Sequence, residues 1–242
     1  MKVHCFFEQS GTFKNAFNAI PGYTAADYDI ENTFGQTDYV IDLFEEIETA
    51  YYTNDPTIFD GITPDDLIFA FFSCIYFCEC NQLYFTNQTV NFKGLTPEQR
   101  TESIIKRADK RHYFYLVLLH LYAVAIKKNL SLIIENPYSP NHYLFHNFPV
   151  EPSIIDYHRN YSGDNFAKPT QYFFVNCRPN HKYRTLSPRR PMIVRNAKKG
   201  KSTAGKCNIE RSTITPEYAT NFIFDYIIGK PQKNKIVEQT LF

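Results

Sequence analysis

The sequence has no tryptophan, only two methionines and nine glycines, and no unbroken stretch of 18 apolar residues. A helix needs about 18 to 20 apolar residues to cross a bilayer, so the missing run argues against a membrane span. The first residues, MKVHCFFEQSG, lack the long apolar region and the small-residue cleavage site of a signal peptide. We therefore expect a cytoplasmic protein that has no membrane partner.

The six cysteines lack the spacing that metal and disulfide frameworks require. In an intracellular chain of this size they are interpreted as reduced thiols. Cys74, Cys78 and Cys80 lie close together, but no second cysteine pair follows them, so we predict no metal site. The apolar stretch DDLIFAFFSCIYFC at 65–78 is either a buried strand that contains cysteine by chance or a segment that presents a nucleophile. Most cysteines on apolar strands are inert core residues, and Cys78 and Cys80 are interpreted in that way.

Charge is distributed unevenly along the chain, although the net charge is only +1. The first 66 residues hold 13 acidic side chains against two lysines, whereas 182–211 holds ten basic side chains against one acid. Two interpretations of the basic segment stay open at this point. It is a contact for nucleic acid, whose phosphates bind Arg, Lys, Ser and Thr, or it is a solvated loop.

The hydrophobic pattern predicts strands that alternate with helices in one main domain, since 43% of the chain is hydrophobic. The predicted strands are 2–7, 24–30, 65–72, 130–137 and 171–177, and the predicted helices are 12–20, 97–129 and 216–228. This alternation indicates an α/β fold with a mostly parallel sheet and helices on both faces.

The long predicted helix has a clear start signal. Thr96 can cap it, Pro97 suits its first position, and Gln99 completes a capping box. Apolar residues are predicted to recur on one side of it, at Ile104, Ile105, Ala108, Leu116, Leu119 and Ala123.

Polar residues follow several predicted strands, at the edge where open α/β sheets bind ligands. Those residues are Ser10, Gly11, Thr12, Asp27, Asp29, Cys74, Glu135, Asn136 and Pro137. Each feature alone has an ordinary explanation, because Ser-Gly-Thr is a common turn and an acid after a strand is a common helix cap.

Taken together and in this order, these segments resemble the motifs of the cytosine-5 DNA methyltransferases. The family's first motif is similar to FFEQSGTFKNAF, and its second is similar to DYD at 27–29. Its third motif places an acid at the position of Asp42 in DYVIDLFEEI. AFFSC resembles the loop that carries the family's nucleophilic cysteine, IIENP its Glu-Asn motif, and QYFFVNCRP the strand of its eighth motif. ERSTITPEYATNFI resembles the closing segment, which returns to the cofactor turn.

The resemblance implies a Rossmann-like fold that binds S-adenosylmethionine and methylates C5 of a flipped cytosine in DNA. Cys74 is the implied nucleophile, Glu135 the acid that bonds the base, and Asn136 the residue that orders the loop. The implied cofactor-binding residues are Phe7, Ser10, Gly11, Thr12, Asp27, Tyr28, Asp42 and Phe72. The eighth motif's arginine aligns with Gln171, and Lys168 or Arg178 is the expected substitute.

The same resemblance divides the chain into a catalytic domain at 1–180, a short basic target-recognition segment at 181–211 and a returning helix at 212–242. The expected DNA-binding residues are Arg184, Arg189, Arg190, Arg195, Lys198, Lys199 and Lys201. We expect a monomer. The alternative is a methyltransferase-like protein that binds DNA through the basic segment without catalysis.

Overall fold

A mixed β-sheet organises the chain in the computed structural model, which describes residues 1–85, 92–180, 184–192 and 213–229. Its seven strands in these ranges are β1 (Lys2–Phe6), β2 (Thr24–Asp29), β3 (Tyr39–Val40), β4 (Leu67–Ala70), β5 (Ser131–Pro137), β6 (Ile154–Asp156) and β7 (Thr170–Val175). Their order is β3-β2-β1-β4-β5-β7-β6, and β7 alone runs antiparallel to its two neighbours. This is the Rossmann-like order with one antiparallel strand inserted between β5 and β6, and it confirms the predicted fold class.

The helices begin where the sequence supplies caps. They are α1 (Thr12–Asn18), α2 (Leu43–Tyr52), α3 (Pro97–Lys127), α4 (Tyr143–Asn147) and α5 (Pro216–Phe222), which continues as a π-helix at Ile223–Ile228. The predicted capping box of α3 is present, since the Thr96 hydroxyl accepts from the Gln99 N–H at 3.2 Å and the Gln99 side chain accepts from the Thr96 N–H at 3.0 Å. The Thr215 hydroxyl caps α5 by accepting from the Tyr218 N–H at 3.2 Å, and Gly229 ends the π-helix in the left-handed region.

Hydrophobic side chains on both faces of the sheet form two cores. On one face Ile68 and Ile134 pack with residues of α2 and α3. On the other, Phe69 and Ile133 pack with residues of α1 and α5. The all-buried strand β4 separates these layers, which explains its unbroken apolar sequence. The predicted placement of helices on both faces is confirmed.

The predicted apolar side of α3 is wrong in part. Ile105 is 54% exposed, and the buried positions of the helix are Val117, Leu118, His120, Leu121, Val124 and Ala125. All the buried positions lie in the second half of the helix, where the predicted Leu116, Leu119 and Ala123 are half-buried beside them. Ile105 lies in the first half, so its apolar spacing does not report on the core.

In the described ranges no helix has both the length and the apolarity needed to cross a bilayer. In the same ranges no group of three or more His, Cys, Asp and Glu side chains is placed to hold a metal ion.

Candidate active site

The site lies at the carboxyl edge of the sheet, where the strand order reverses. From β1 the chain adds β2 and β3 on one side, and β4 then pairs with the other side of β1. The carboxyl ends of β1 and β4 therefore border the crevice in which open α/β sheets bind ligands. Phe7 continues from β1 at this crevice, and the segment Phe71–Cys74 continues from β4.

Phe7 has a strained backbone at this point. Its φ angle is 60°, in the left-handed region that a bulky side chain rarely adopts. Its N–H donates to the Tyr28 carbonyl at 2.8 Å, which holds the turn in place. The ring lies edge-on to Phe72 at 5.1 Å, and Phe72 stacks on Phe44 at 5.7 Å. These three rings form an apolar cluster beside the crevice, in which Phe7 and Phe44 are half-buried and Phe72 is buried. Backbone strain of the kind seen at Phe7 concentrates at ligand sites.

Cys74 occupies a single helical turn after β4. Its carbonyl accepts from the N–H groups of Phe77 at 3.0 Å and Cys78 at 3.1 Å. The thiol is half-buried and is not in a disulfide. The prediction that Cys78 is an inert core residue is wrong, because Cys78 is half-buried and its thiol hydrogen-bonds to that of Cys74. The Cys80 side chain lies outside the described ones.

The surroundings of Cys74 favour its ionised form. The hydrogen bond from Cys78 is the largest influence and lowers the pKa of the Cys74 thiol, and the positive charge of Lys168 lowers it further. Burial and the Glu135 carboxylate oppose this, yet the net pKa lies below the ordinary value. A thiolate is the nucleophilic form of cysteine. Cys74, Lys168 and Glu135 thus act on one another electrostatically across the ends of β4, β5 and β7.

Glu135 faces a buried arginine that the sequence did not reveal. One guanidinium nitrogen of Arg159 lies 3.9 Å from Oε1 of Glu135, and both side chains are at least 90% buried. Arg159 also forms an ion pair with Asp164, approaches the Thr170 hydroxyl at 3.4 Å and lies 4.7 Å from the centre of the Tyr218 ring. The carboxylate of Glu135 therefore faces a positive charge that is itself fixed on several sides, while among the described residues its Oε1 has no hydrogen-bond partner.

Asn136 joins the two strand ends that carry Cys74 and Glu135. Its side-chain amide donates to the Phe72 carbonyl at 2.8 Å, and the residue is fully buried. Phe72 lies two residues before Cys74, so this bond ties the nucleophile segment to the end of β5. The geometry agrees with the loop-ordering role that the resemblance implies for Asn136.

Gln171, at the position of the expected arginine, is fully buried and bound within the protein. Its amide donates to the Pro137 carbonyl at 2.9 Å and lies 3.1 Å from Nδ1 of His142. That nitrogen also accepts from the Leu144 N–H at 3.3 Å. Burial lowers the pKa of His142 to about 4, so the imidazole is neutral and can accept. The Gln171 side chain therefore links β7 to the end of β5 and to the residue that caps α4.

Of the two predicted substitutes for that arginine, the structure places one at the site. β7 runs antiparallel, so its first residue Thr170 pairs with Pro137 at the carboxyl edge and its last, Val175, pairs with Leu132 at the opposite edge. Arg178 follows Val175 and therefore lies at the edge of the sheet opposite Cys74 and Glu135. Lys168 precedes Thr170 and lies close enough for its charge to act on the Cys74 thiol.

The acids expected to hold the cofactor are engaged by the protein's own donors. Asp27 is fully buried, and its Oδ1 accepts from Lys14 Nζ at 3.0 Å and from the Asp38 N–H at 2.7 Å. Burial raises the pKa of Asp27, and the Lys14 ammonium opposes that rise. Among the described residues its other oxygen, Oδ2, is buried without a hydrogen-bond partner. Asp42 is exposed, and its Oδ1 caps α2 through the N–H groups of Phe44 and Glu45.

The turn after β1 is also closed by an internal contact. Glu8, which is 95% buried, accepts from the N–H groups of Phe13 at 2.7 Å and Lys14 at 3.1 Å. Gly11 adopts a φ angle of 64° ahead of α1, and the hydroxyls of Ser10 and Thr12 lie 2.9 Å apart. Tyr28 is buried, and its ring stacks on Tyr39 at 4.7 Å. These residues gather at the crevice as predicted, but the first N–H groups of α1 are already satisfied.

The expected DNA-binding residues divide into three sets. Arg184 pairs with Asp156 at 3.2 Å, and Arg189 pairs with Glu217, so both charges are used within the protein. Arg190 is exposed. Arg195, Lys198, Lys199 and Lys201 lie outside the described residues.

Sequence reasoning missed Arg159 and the Lys14 pair for the same reason. Both are charged side chains whose partners, Asp164 and Glu135 in one case and Asp27 in the other, come together only through the tertiary fold. No local pattern in HRNYSGD distinguishes a buried arginine from an exposed one. The local pattern does not mark Lys14 either, because its immediate neighbours in the helix are Phe13 and the polar Asn15.

Comparison with known proteins adds no assignment to this geometry. No protein-family model matches the chain, and no curated protein matches its sequence.

Proposed function

We propose that this chain is a DNA (cytosine-5) methyltransferase in which Cys74 is the nucleophile. One observation carries the proposal: Cys74 follows β4 and Glu135 lies near the end of the paired strand β5, and the Asn136 amide beside Glu135 bonds the Phe72 carbonyl two residues before Cys74 at 2.8 Å. A thiol of lowered pKa, a carboxyl group and a cation that meet at a topological switch point form a set suited to nucleophilic catalysis on a polar heterocycle.

The proposed chemistry starts from the poor nucleophilicity of cytosine C5. Addition of the thiolate to C6 forms an S–C6 bond and shifts the C5–C6 electron pair towards C5, which can then attack a methyl group. Glu135 is proposed to hydrogen-bond N3 and the exocyclic amine of the base, where charge develops as the thiolate adds. Loss of the C5 proton and departure of the thiolate restore the ring.

Arg159 and Asn136 support this reaction as positioning residues. Arg159 places a positive charge 3.9 Å from the Glu135 carboxylate, and Asn136 holds the segment before Cys74 through the Phe72 carbonyl. Because the reacting atoms of cytosine lie inside a duplex, the base must leave the stack, at a cost of a few kcal/mol. Contacts to the DNA backbone offset that cost.

S-adenosylmethionine would supply the methyl group when bound at the crevice. The half-buried rings of Phe7 and Phe44, which pack on the buried Phe72, fit an adenine ring, and the exposed Asp42 precedes Phe44 by two residues. The unpartnered Oδ2 of Asp27 fits a ribose hydroxyl, provided that the Lys14 side chain moves aside. Ser10, Gly11 and Thr12 border the same crevice and would contact the amino-acid portion.

The test is transfer of a tritiated methyl group from the cofactor to cytosine-containing duplex DNA. The wild-type chain is expected to label the DNA, and Cys74→Ala is expected to reduce labelling to background. Cys177→Ala is the matched control, because that half-buried thiol contacts the Leu132 carbonyl at the opposite edge of the sheet. Full labelling by Cys74→Ala would remove the proposed mechanism.

A second candidate is a methyltransferase-like protein that binds DNA without turnover. The observation that favours it is the buried Lys14–Asp27 ion pair, because it takes the carboxylate that would hold the cofactor ribose. Calorimetric titration separates the two candidates. Cofactor binding that strengthens in Lys14→Met supports a blocked pocket, whereas wild-type binding together with methyl transfer excludes the inactive form.

A further inference from the structure

The first half of α3 extends beyond the body of the fold on the side of the candidate site. The helix has 31 residues and is about 46 Å long, whereas β5 spans about 23 Å. α2 packs parallel to α3, with Phe44 4.9 Å from Phe114 and Tyr52 5.1 Å from His120. Residues that precede Phe114 by more than a turn therefore extend past the N-terminus of α2.

This extended half has its basic and acidic side chains in separate arcs around the helix. At 100° per residue, its five basic residues fall within an arc of about 140° and its three acids within an arc of about 40°, and the arc centres are about 130° apart. The basic residues are Arg100, Lys106, Arg107, Lys110 and Arg111, and the acids are Glu98, Glu102 and Asp109. We call the first arc the basic face of α3.

The basic face borders the segment that follows Cys74. The Arg107 guanidinium lies 4.0 Å from the ring centre of Tyr84 and donates to the Ile75 carbonyl at 3.3 Å. Arg111 lies 4.0 Å from the ring centre of Phe85 and 4.9 Å from that of Tyr143. These contacts place the face directly beside the nucleophile segment.

Two lysines of the face are open to solvent. Lys106 and Lys110 are exposed and lie one turn apart, and within the described ranges neither has an acidic group within 4 Å. Like charges at this spacing repel each other on a helix. A polyanion that lies along the face would relieve that repulsion.

The length of the face suits a nucleic-acid backbone. From Arg100 to Arg111 the helix rises about 16 Å. One strand of a duplex places a phosphate every 3.4 Å along its axis, so a face of this length spans about five phosphates.

We propose that the basic face of α3 binds the phosphate backbone of the duplex DNA whose base enters the site at Cys74. The choice of DNA rests on the proposed function, whereas the choice of surface rests on the charge pattern and the contacts of α3. The residues of this face are distinct from those of the basic segment at 182–211, in whose described part Arg184 and Arg189 are paired internally and Arg190 is exposed.

The experiment is fluorescence anisotropy with a labelled DNA duplex, without cofactor, over a salt series. Binding weakens as salt rises, and each lost phosphate contact makes the slope of log K against log salt less negative by about 0.9. The slope for the double variant Lys106→Gln/Lys110→Gln is expected to be less negative than that of wild type by about 1.8, with about thirtyfold weaker binding at 0.15 M salt. Lys127→Gln is the control, because that exposed lysine lies at the other end of the same helix.

Wild-type affinity and slope in the double variant would overturn the proposal, and so would an equal loss in Lys127→Gln. Tighter binding of an RNA duplex or of an acidic peptide than of DNA, through the same two lysines, would overturn DNA as the occupant. The binding result is independent of catalysis. If the double variant loses DNA affinity but the wild-type chain never transfers methyl groups, the DNA-binding surface stands and the proposed function fails. If the double variant binds DNA like wild type but the wild-type chain transfers methyl groups, the proposed function stands and the surface fails.

Discussion

Replacing Arg159 with methionine is expected to destabilise the protein strongly, because it leaves buried carboxylates without their cation. Arg159 and Asp164 are each about 99% buried in their side chains, and Glu135 lies 3.9 Å from the same guanidinium. Removing one partner of a buried ion pair costs about 3 to 5 kcal/mol. For a chain of this length each kcal/mol shifts Tm by about 2 to 4 °C, so Tm should fall by about 6 to 20 °C.

Thermal and urea unfolding at pH 7, followed by circular dichroism, measure this effect. Arg189→Met is the control, because its ion pair with Glu217 is roughly 40% exposed and such pairs contribute about 0 to 1 kcal/mol. The double variant Arg159→Met/Asp164→Leu should recover the part of the loss that comes from Asp164 but not the part that comes from Glu135, since apolar groups can replace a buried pair at little cost. The reasoning is refuted if Arg159→Met unfolds at the same temperature and urea concentration as Arg189→Met.

Three further predictions follow from single contacts. Lys168→Gln should raise the pKa of the Cys74 thiol, because a positive charge that favours the thiolate is lost; the pH midpoint of Cys74 alkylation by iodoacetamide, read by mass spectrometry, checks this, and an unmoved midpoint contradicts it. Glu8 has its pKa raised from 4.5 to about 7, mainly by burial, so its contribution to stability is complete below about pH 4.5 and is lost as the pH rises through 7. That loss amounts to roughly 3 kcal/mol, and urea unfolding across this pH range should show a flatter profile for Glu8→Gln than for wild type; parallel profiles would count against a buried, protonated Glu8. Thr96→Ala should lower the unfolding free energy by about 1 kcal/mol, because the Gln99 N–H loses its acceptor, whereas an unchanged urea midpoint would mean that the cap adds nothing.

Much of the fold could be predicted because its signals are local. The buried strand β4 has an uninterrupted apolar run, and α3 begins with a threonine, a proline and a glutamine in capping positions. The short strands β3 and β6 were not predicted, since two or three residues give no periodicity. α2 was also missed. Its cap, Asp42, was interpreted only as a cofactor residue.

The site was predictable only as far as strand ends determine it. Cys74 and Glu135 follow or end neighbouring strands, so topology alone brings them to one edge. Arg159 lies in a turn between β6 and β7 that approaches Glu135 from outside the parallel strands. The Lys14–Asp27 pair closes part of the crevice through a helix that packs back on β2. Such pairings depend on distances across the fold, which residue spacing does not encode.

The most direct test of the account is covalent trapping of Cys74 by a duplex that contains 5-fluorocytosine, in the presence of S-adenosylmethionine. Fluorine at C5 cannot leave as a proton does, so the bond between sulfur and C6 should persist. The account predicts a DNA-linked tryptic peptide that contains Cys74, which disappears in Cys74→Ala and persists in Cys177→Ala. A stable adduct at another residue, or none with a duplex that the protein binds, would contradict it.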